Sequence, residues 1–294
     1  MSASTYHQEI IRLDDLTIRA DCGPMRLTIQ AFKAGRPQLD LARRAARVSF
    51  TYLARIARLR KELSRPAGCI TAVPDDTLVR QMIDSVRSIG DEDLTPMAAV
   101  AGTIADAVAD WIERHKVSKV VVNNGGDIAI RLSDHESVTV GVRPRIQRPD
   151  VTHLLRLNST RRAWGVTTSG FGGRSFTRGI ASAVTVLAGR ASMADAAATA
   201  IANACTVKDA AIVRQAARQI DPGTDIPDID VTVDIGPLDP QKKEAALARA
   251  LIKADTLVQR KTIIGALMAI DAQVVTTPGL GRFISPVGGP SRNH

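Results

Sequence analysis

Residues 97–112, MAAVAGTIADAVADWI, limit what this chain can become more than any other segment, because nearly every position is small or apolar. Thr95-Pro96 opens the segment with a side-chain cap followed by a fixed helical φ, the start signal of a helix. A helix so poor in bulk cannot hold a neighbour at arm's length, so it is expected to lie close against a sheet or a ligand. A second alanine-rich helix is expected over 192–204, and the rest of the chain has to supply the surface against which both pack. Strands come from alternation. Residues 16–20 and 27–31 alternate on either side of Cys22-Gly-Pro, a hairpin pattern. The β-branched run 120–122 turns through Asn123-Asn-Gly-Gly-Asp127 into 128–131, and 138–142, 151–157, 183–187, 229–235 and 272–277 are further strands.

Helices are also expected over 37–63, 76–87, 207–219 and 239–259. In the first, Leu41, Ala45, Val48, Tyr52, Ile56, Leu59 and Leu63 recur at steps of three and four, forming one apolar stripe. Helices and strands alternate without a strict βαβ rhythm, so the expected architecture is α+β, a sandwich of mainly antiparallel sheet with packed helices. One domain is expected over 1–285, with a flexible Gly/Pro-rich tail at 286–294.

With 45% hydrophobic residues the chain can bury a core, which excludes a disordered protein. The 39 Lys and Arg against 30 Asp and Glu leave a net charge of +9, a field that favours anionic partners. Only 3% of residues are aromatic, against a base-stacking platform. Arg43, Arg44, Arg47, Arg55, Arg58 and Lys61 share one side of the first helix, either a face for nucleic acid or lipid or a solvated surface. Nucleic acid is not the expected partner, and a homodimer through this long helix is an expectation. Cys22, Cys69 and Cys205 imply no disulfide framework, no apolar leader opens the chain and no stretch reads as a membrane span. A cytoplasmic protein with no membrane partner is therefore expected.

Three segments bring glycine together with polar side chains. In Asn123-Asn124-Gly125-Gly126-Asp127, paired glycines can bring N–H groups to a ligand that Asn and Asp then orient; the same residues also make an ordinary hairpin turn. Thr167-Thr168-Ser169-Gly170-Phe-Gly-Gly-Arg174-Ser175 fits either a phosphate-cradling loop with Arg174 as counter-charge or a plain surface loop. Asp195 follows Ser192 by three residues, as in a capping box, and precedes Thr199 by four, which stacks a carboxylate and a hydroxyl as two hard oxygen ligands for Mg²⁺. Asp106 and Asp110 share a helical face that reads as its solvent side.

The order TPMAAVAGTIADAV, VVVNNGGDIAI, GVTTSGFGGRSF and AVTVLAGRASMADAAATAIAN resembles the ApbE superfamily, whose members include FAD:protein FMN transferases. The branch it looks most like is the one described as thiamine-biosynthesis-like or ApbE-like proteins. The similarity is strong over 93–207. It implies a T-fold-related α+β structure that takes a small anionic or planar heterocyclic ligand: FAD, another flavin, or a pterin. By that resemblance Asp195 and Thr199 hold Mg²⁺ with a backbone carbonyl from 99–101. Asn124, Gly125 and Gly126 line the nucleotide pocket, Thr168, Ser169 and Gly170 face the same cleft, and Asp127 and Arg174 are the catalytic candidates, with Arg178 a second counter-charge. Two departures stand out. Ala101 occupies the position of the transferases' lysine, and Arg174-Ser-Phe-Thr-Arg-Gly-Ile-Ala-Ser replaces their His-Ile-Ile-Asp-Pro segment. The expected activity is Mg²⁺-assisted group transfer or hydrolysis, by a transferase or a hydrolase. The alternatives are a non-catalytic flavin- or pterin-binding protein and a nucleic-acid-associated protein using the Arg-rich helix.

Overall fold

The computed structural model describes residues 6–133, 135–145 and 149–288. Along the chain, β1 (Gln8–Arg12), β2 (Ile18–Cys22) and β3 (Met25–Lys33) form an antiparallel meander, and the short β4 (Arg36–Pro37) pairs with the end of β3. Three helical segments follow: α1 (Leu39–Arg58), α2 (Arg60–Leu63) and α3 (Thr77–Ile89). The start signal at Thr95-Pro96 is used differently from expectation. Pro96 opens a 3₁₀ turn, Thr95 makes no side-chain cap, and α4 runs from Val100 to Glu113.

Next come β5 (Lys119–Asn124) and β6 (Asp127–Leu132), then β7 (Ser137–Val142), β8 (His153–Asn158), β9 (Ala163–Ser169) and β10 (Ala183–Ala188). The chain continues through α5 (Ala191–Ala204), β11 (Ile212–Ala216), β12 (Asp230–Ile235), α6 (Pro240–Gln259), β13 (Gly265–Ile270), β14 (Gln273–Thr276) and β15 (Ile284–Pro286).

Within the span read as one domain, the residues gather into two compact units, described separately. The first runs up to Ser137 and includes Asn158–Thr167 and Ala188–Ala196; the second comprises Val138–Leu157, Thr168–Leu187 and the chain from Ala197 onward. β9 and α5 therefore contribute residues to both. In the first unit β1, β2, β3, β5, β6 and β9 pair in that order, every pairing antiparallel. Its core joins Ile18, Leu27 and Ile29 to Phe50, Leu53 and Ile56 of α1, Val79 and Met82 of α3, and Ile104, Val108 and Ile112 of α4. The buried stripe of α1 is rotated from the expected one, since Phe50 and Leu53 lie inside while Val48 and Tyr52 are half-buried.

In the second unit β13 lies between β10 and β14, β11 pairs with β12, and β8 lies between β15 and β7. The antiparallel α+β expectation holds. The helix expected over 207–219 does not form. Residues 212–216 make β11, antiparallel to β12, and a 3₁₀ turn takes 217–219. Of the expected tail, Pro286 ends β15 and the Val287 N–H donates to the Thr152 carbonyl; 289–294 lie outside the described residues. Among the described residues no helix is long and apolar enough to cross a membrane.

Candidate active site

The site begins where α4 meets the first turn of α5. A Cβ at Gly102 would fall 2.3 Å from the Ala191 carbonyl oxygen and 2.8 Å from the Ser192 nitrogen, so only glycine allows this approach. The closeness lets the Gly102 N–H donate to Asp195 Oδ2 at 2.9 Å. Asp195 is set deep in protein yet keeps part of its surface open. Burial, then the neighbouring charge of Asp127, holds its carboxyl well above the usual carboxylate range; the Gly102 and Ala101 N–H groups oppose that shift, and Asp106 adds to it. Among the described residues no cation forms an ion pair with Asp195.

The Asn-Gly-Gly-Asp segment is a hairpin turn that also reaches this place. Asn124 and Asp127 close the β5–β6 ladder, leaving Gly125 and Gly126 as a two-residue loop with φ of 68° and 118°. Both angles are positive, as the tight hairpin requires, and Asn123 Oδ1 accepts from the Gly126 N–H at 2.8 Å. Asn124 is buried and its Nδ2 donates to the Ala101 carbonyl at 3.2 Å, which ties the turn to the start of α4. The two readings of this segment are thus compatible: a local turn brings the carboxylate of Asp127 into the field of Asp195.

Beneath lies an ionic cluster that the sequence did not reveal. Asp106 is fully buried, which corrects its reading as solvent-facing. Arg131 Nη2 lies 2.9 Å from Asp106 Oδ1 and 2.6 Å from Asp110 Oδ1, and Arg190 Nη2 lies 2.7 Å from Asp110 Oδ2. Asp106 Oδ2 accepts from the Ser192 N–H at 2.9 Å and from Gln81 Nε2 at 3.1 Å. The capping box read at Ser192 and Asp195 is therefore not formed. Asp106 serves the helix start in place of Asp195, and the Asp195 carboxylate turns to Gly102.

In the second unit, Thr168 Oγ1 lies 2.8 Å from Thr185 Oγ1, and the loop after Ser169 closes through the Phe171 N–H on the Ala181 carbonyl and the Gly173 N–H on the Gly170 carbonyl. Arg174 is exposed. Thr177 Oγ1 and the Arg178 N–H both donate to Asn203 Oδ1, at 3.2 and 3.0 Å, so Asn203 anchors this segment. Thr199 is half-buried and follows Asp195 by one turn of α5.

The fold defines an α+β protein of mainly antiparallel sheet, with a carboxylate-bearing helix set against a glycine turn. More particularly, the chain belongs to the family described as AbpE bacteria, whose match runs over residues 9–277. A UPF0280 protein of Methanopyrus kandleri is 34% identical over 195 residues, covering 66% of this chain and 71% of that one. A UPF0280 protein of Methanococcus aeolicus is 37% identical over 111 residues, covering 37% of this chain and 44% of its own length. Among solved structures, the apo form of Pseudomonas stutzeri flavinyl transferase ApbE aligns with 97% of this chain and 100% of its own, at a TM-score of 0.52 and 13% identity. That likeness is one of fold.

Proposed function

We propose that this protein is a Mg²⁺-assisted transferase acting on FAD or a related flavin nucleotide. The observation that carries the reading is the state of Asp195, a deep carboxylate with a second carboxylate beside it and no protein cation paired to it among the described residues. A group so placed either takes up a proton or takes a cation. Mg²⁺ fits the donor set. Among the described residues no three His, Cys, Asp or Glu side chains are grouped to cage a metal; by the resemblance, the Thr199 hydroxyl one turn on and a backbone carbonyl of 99–101 would join the Asp195 carboxylate. Few protein ligands, with the remaining positions left to water and phosphate, is the usual arrangement for that ion. Bound there, Mg²⁺ would supply a Lewis acid and charge neutralisation at a phosphoryl oxygen.

The protein's own groups have separate tasks. The Gly102 N–H orients Asp195, and Asn124 fixes the turn on which Gly125 and Gly126 present their backbone to the nucleotide. In the second unit, Thr168, Ser169 and Gly170 offer hydroxyl and backbone donors and Arg174 and Arg178 offer positive charge, groups suited to a phosphate. Asp127 is the candidate to accept a proton from the attacking hydroxyl. The buried hydroxyls of Thr103 and Thr167, next in sequence to Gly102 and Thr168, have no hydrogen-bond partner among the described residues, which leaves room for an ordered water to complete them. The flavin class is carried over from the flavinyl transferase named among the structural neighbours. Ala101 at the transferases' lysine position favours a second reading, a flavin-binding protein without turnover.

Calorimetric titration with MgCl₂ and then FAD separates these readings. Wild-type protein is expected to bind FAD in a Mg²⁺-dependent way that Asp195→Ala abolishes. Equal heats from both proteins would end the proposed role of Asp195, whereas Mg²⁺-dependent binding without transfer of FMN to any acceptor or release of AMP supports the second reading.

A further inference from the structure

In the first unit, an open groove of about 780 Å³ between β1 and α1 is lined by Gln8 and Ile10 of the strand and by Arg47, Phe50, Thr51, Ala54 and Arg58 of the helix. Strand β1 is the sheet's edge, paired only with β2 among the described residues. Its alternation puts Gln8 and Ile10 on the groove side and Glu9 on the other. On α1 the spacing 47, 51, 54, 58 places four side chains in one line down the helix, an arginine at each end and Thr51 and Ala54 between. Arg47 and Arg58 are exposed and meet no carboxylate of the protein among the described residues, while Arg55 on the same helix is held by Asp76 at 2.8 Å.

We infer that this groove docks an extended acidic segment of a partner protein, which adds to β1 as a further strand. Two features select that occupant. The free edge of β1 offers backbone hydrogen bonds that only an extended chain can complete, and these give such docking its register. The two arginines stand about 16 Å apart along the helix axis. The end residues of a five-residue segment lie on one face about 13 Å apart. The length of the arginine side chains spans the difference, so an acidic side chain at each end meets Arg47 and Arg58 while the central side chain enters the apolar floor of Ile10, Phe50 and Ala54. Two unpaired guanidiniums flanking apolar surface complement that pattern. The inference stands whatever binds at Asp195.

The probe is a fluorescein-labelled peptide, Glu-Thr-Val-Thr-Glu flanked by glycines, followed by fluorescence anisotropy on the whole protein at low salt. Saturable binding is expected, weakened by about tenfold in Arg47→Ala/Arg58→Ala, the equivalent of about 1.4 kcal/mol. Both substitutions sit on an exposed face, and an unchanged urea midpoint verifies the fold. Two versions of the peptide, N-methylated at alternate amides, separate strand addition from charge attraction: one is expected to lose binding and the other to keep it. The inference is overturned if the double substitution or both methylations leave binding unchanged. It is also overturned if an oligothymidylate or phosphatidylglycerol vesicles bind at these arginines and the peptide does not, or if sedimentation shows a dimer of this chain that the substitutions dissociate.

Discussion

At the residue scale, the carboxylates of the first unit differ by the company they keep. Asp106 is buried with Arg131 and Arg190 and accepts two further donors, so its charge is matched; Asp195 has N–H donors only and its carboxyl is pushed upward. Removing Arg131 would strand the Asp106 charge in the interior, where an uncompensated ion costs about 3–5 kcal/mol. Arg131→Met is therefore expected to lower the unfolding free energy in urea by about that amount. A loss under 1 kcal/mol would mean that Arg190, 3.4 Å from Asp106, takes over the pairing. Little of this was legible beforehand. Asp106 and Asp110 are four apart on a helix, the pattern of a solvated face, and nothing local says that Arg131, from the second strand after that helix, lies opposite them. Asp195 and Asp127 could be singled out because each stands among residues too small to explain a carboxylate there.

At the element scale, the segments with strong local signals formed as expected. The hairpins turning at Gly23 and Gly125, and helices α3, α5 and α6, follow from turn residues and apolar spacing. The failures have separate causes. Residues 207–219 carry enough alanine and arginine to resemble a helix, yet Ile212 is buried and Val213 exposed, the period of a strand, and pairing with β12 decides the outcome. The strand β13, GALMAI, is buried throughout and so carries no alternation to read.

Helix α3 shows how a local cap is wired to its surroundings. Asp76 accepts from the Leu78 and Val79 N–H groups and pairs with Arg55 of α1. Burial pushes the Asp76 carboxyl up, but hydrogen bonds from Arg55 and the two backbone groups outweigh it and hold it below the ordinary value. A carboxyl lowered in the folded state stabilises above its unfolded pKa and ceases to do so as pH falls through the folded one. Asp76→Ala is expected to cost about 1–2 kcal/mol at pH 7, and the gap to wild type should close as denaturation is repeated at pH values below about 4. A gap independent of pH would assign the loss to packing alone.

For the molecule as a whole, a ligand that binds only the folded state raises stability by mass action, about 2.7 kcal/mol at a hundred times its dissociation constant. Mg²⁺ and FAD together are expected to raise the melting temperature of the wild-type protein and to leave that of Asp195→Asn unmoved. A rise of equal size in both would place the bound ligand away from α5. The excess of basic residues favours anions of every kind and does not discriminate. Discrimination has to come from the placement of the few groups described above.

The first turn of α5 is fastened by a carboxylate 86 positions earlier in the chain. A helix begun this way lacks one of its starting contacts while its own stretch stands alone. Its start waits for α4 to be seated beside it, and Asp195 waits with it. A chain fragment lacking α4 would therefore leave the start of α5 without this acceptor, and Asp195 without the Gly102 N–H that it accepts from.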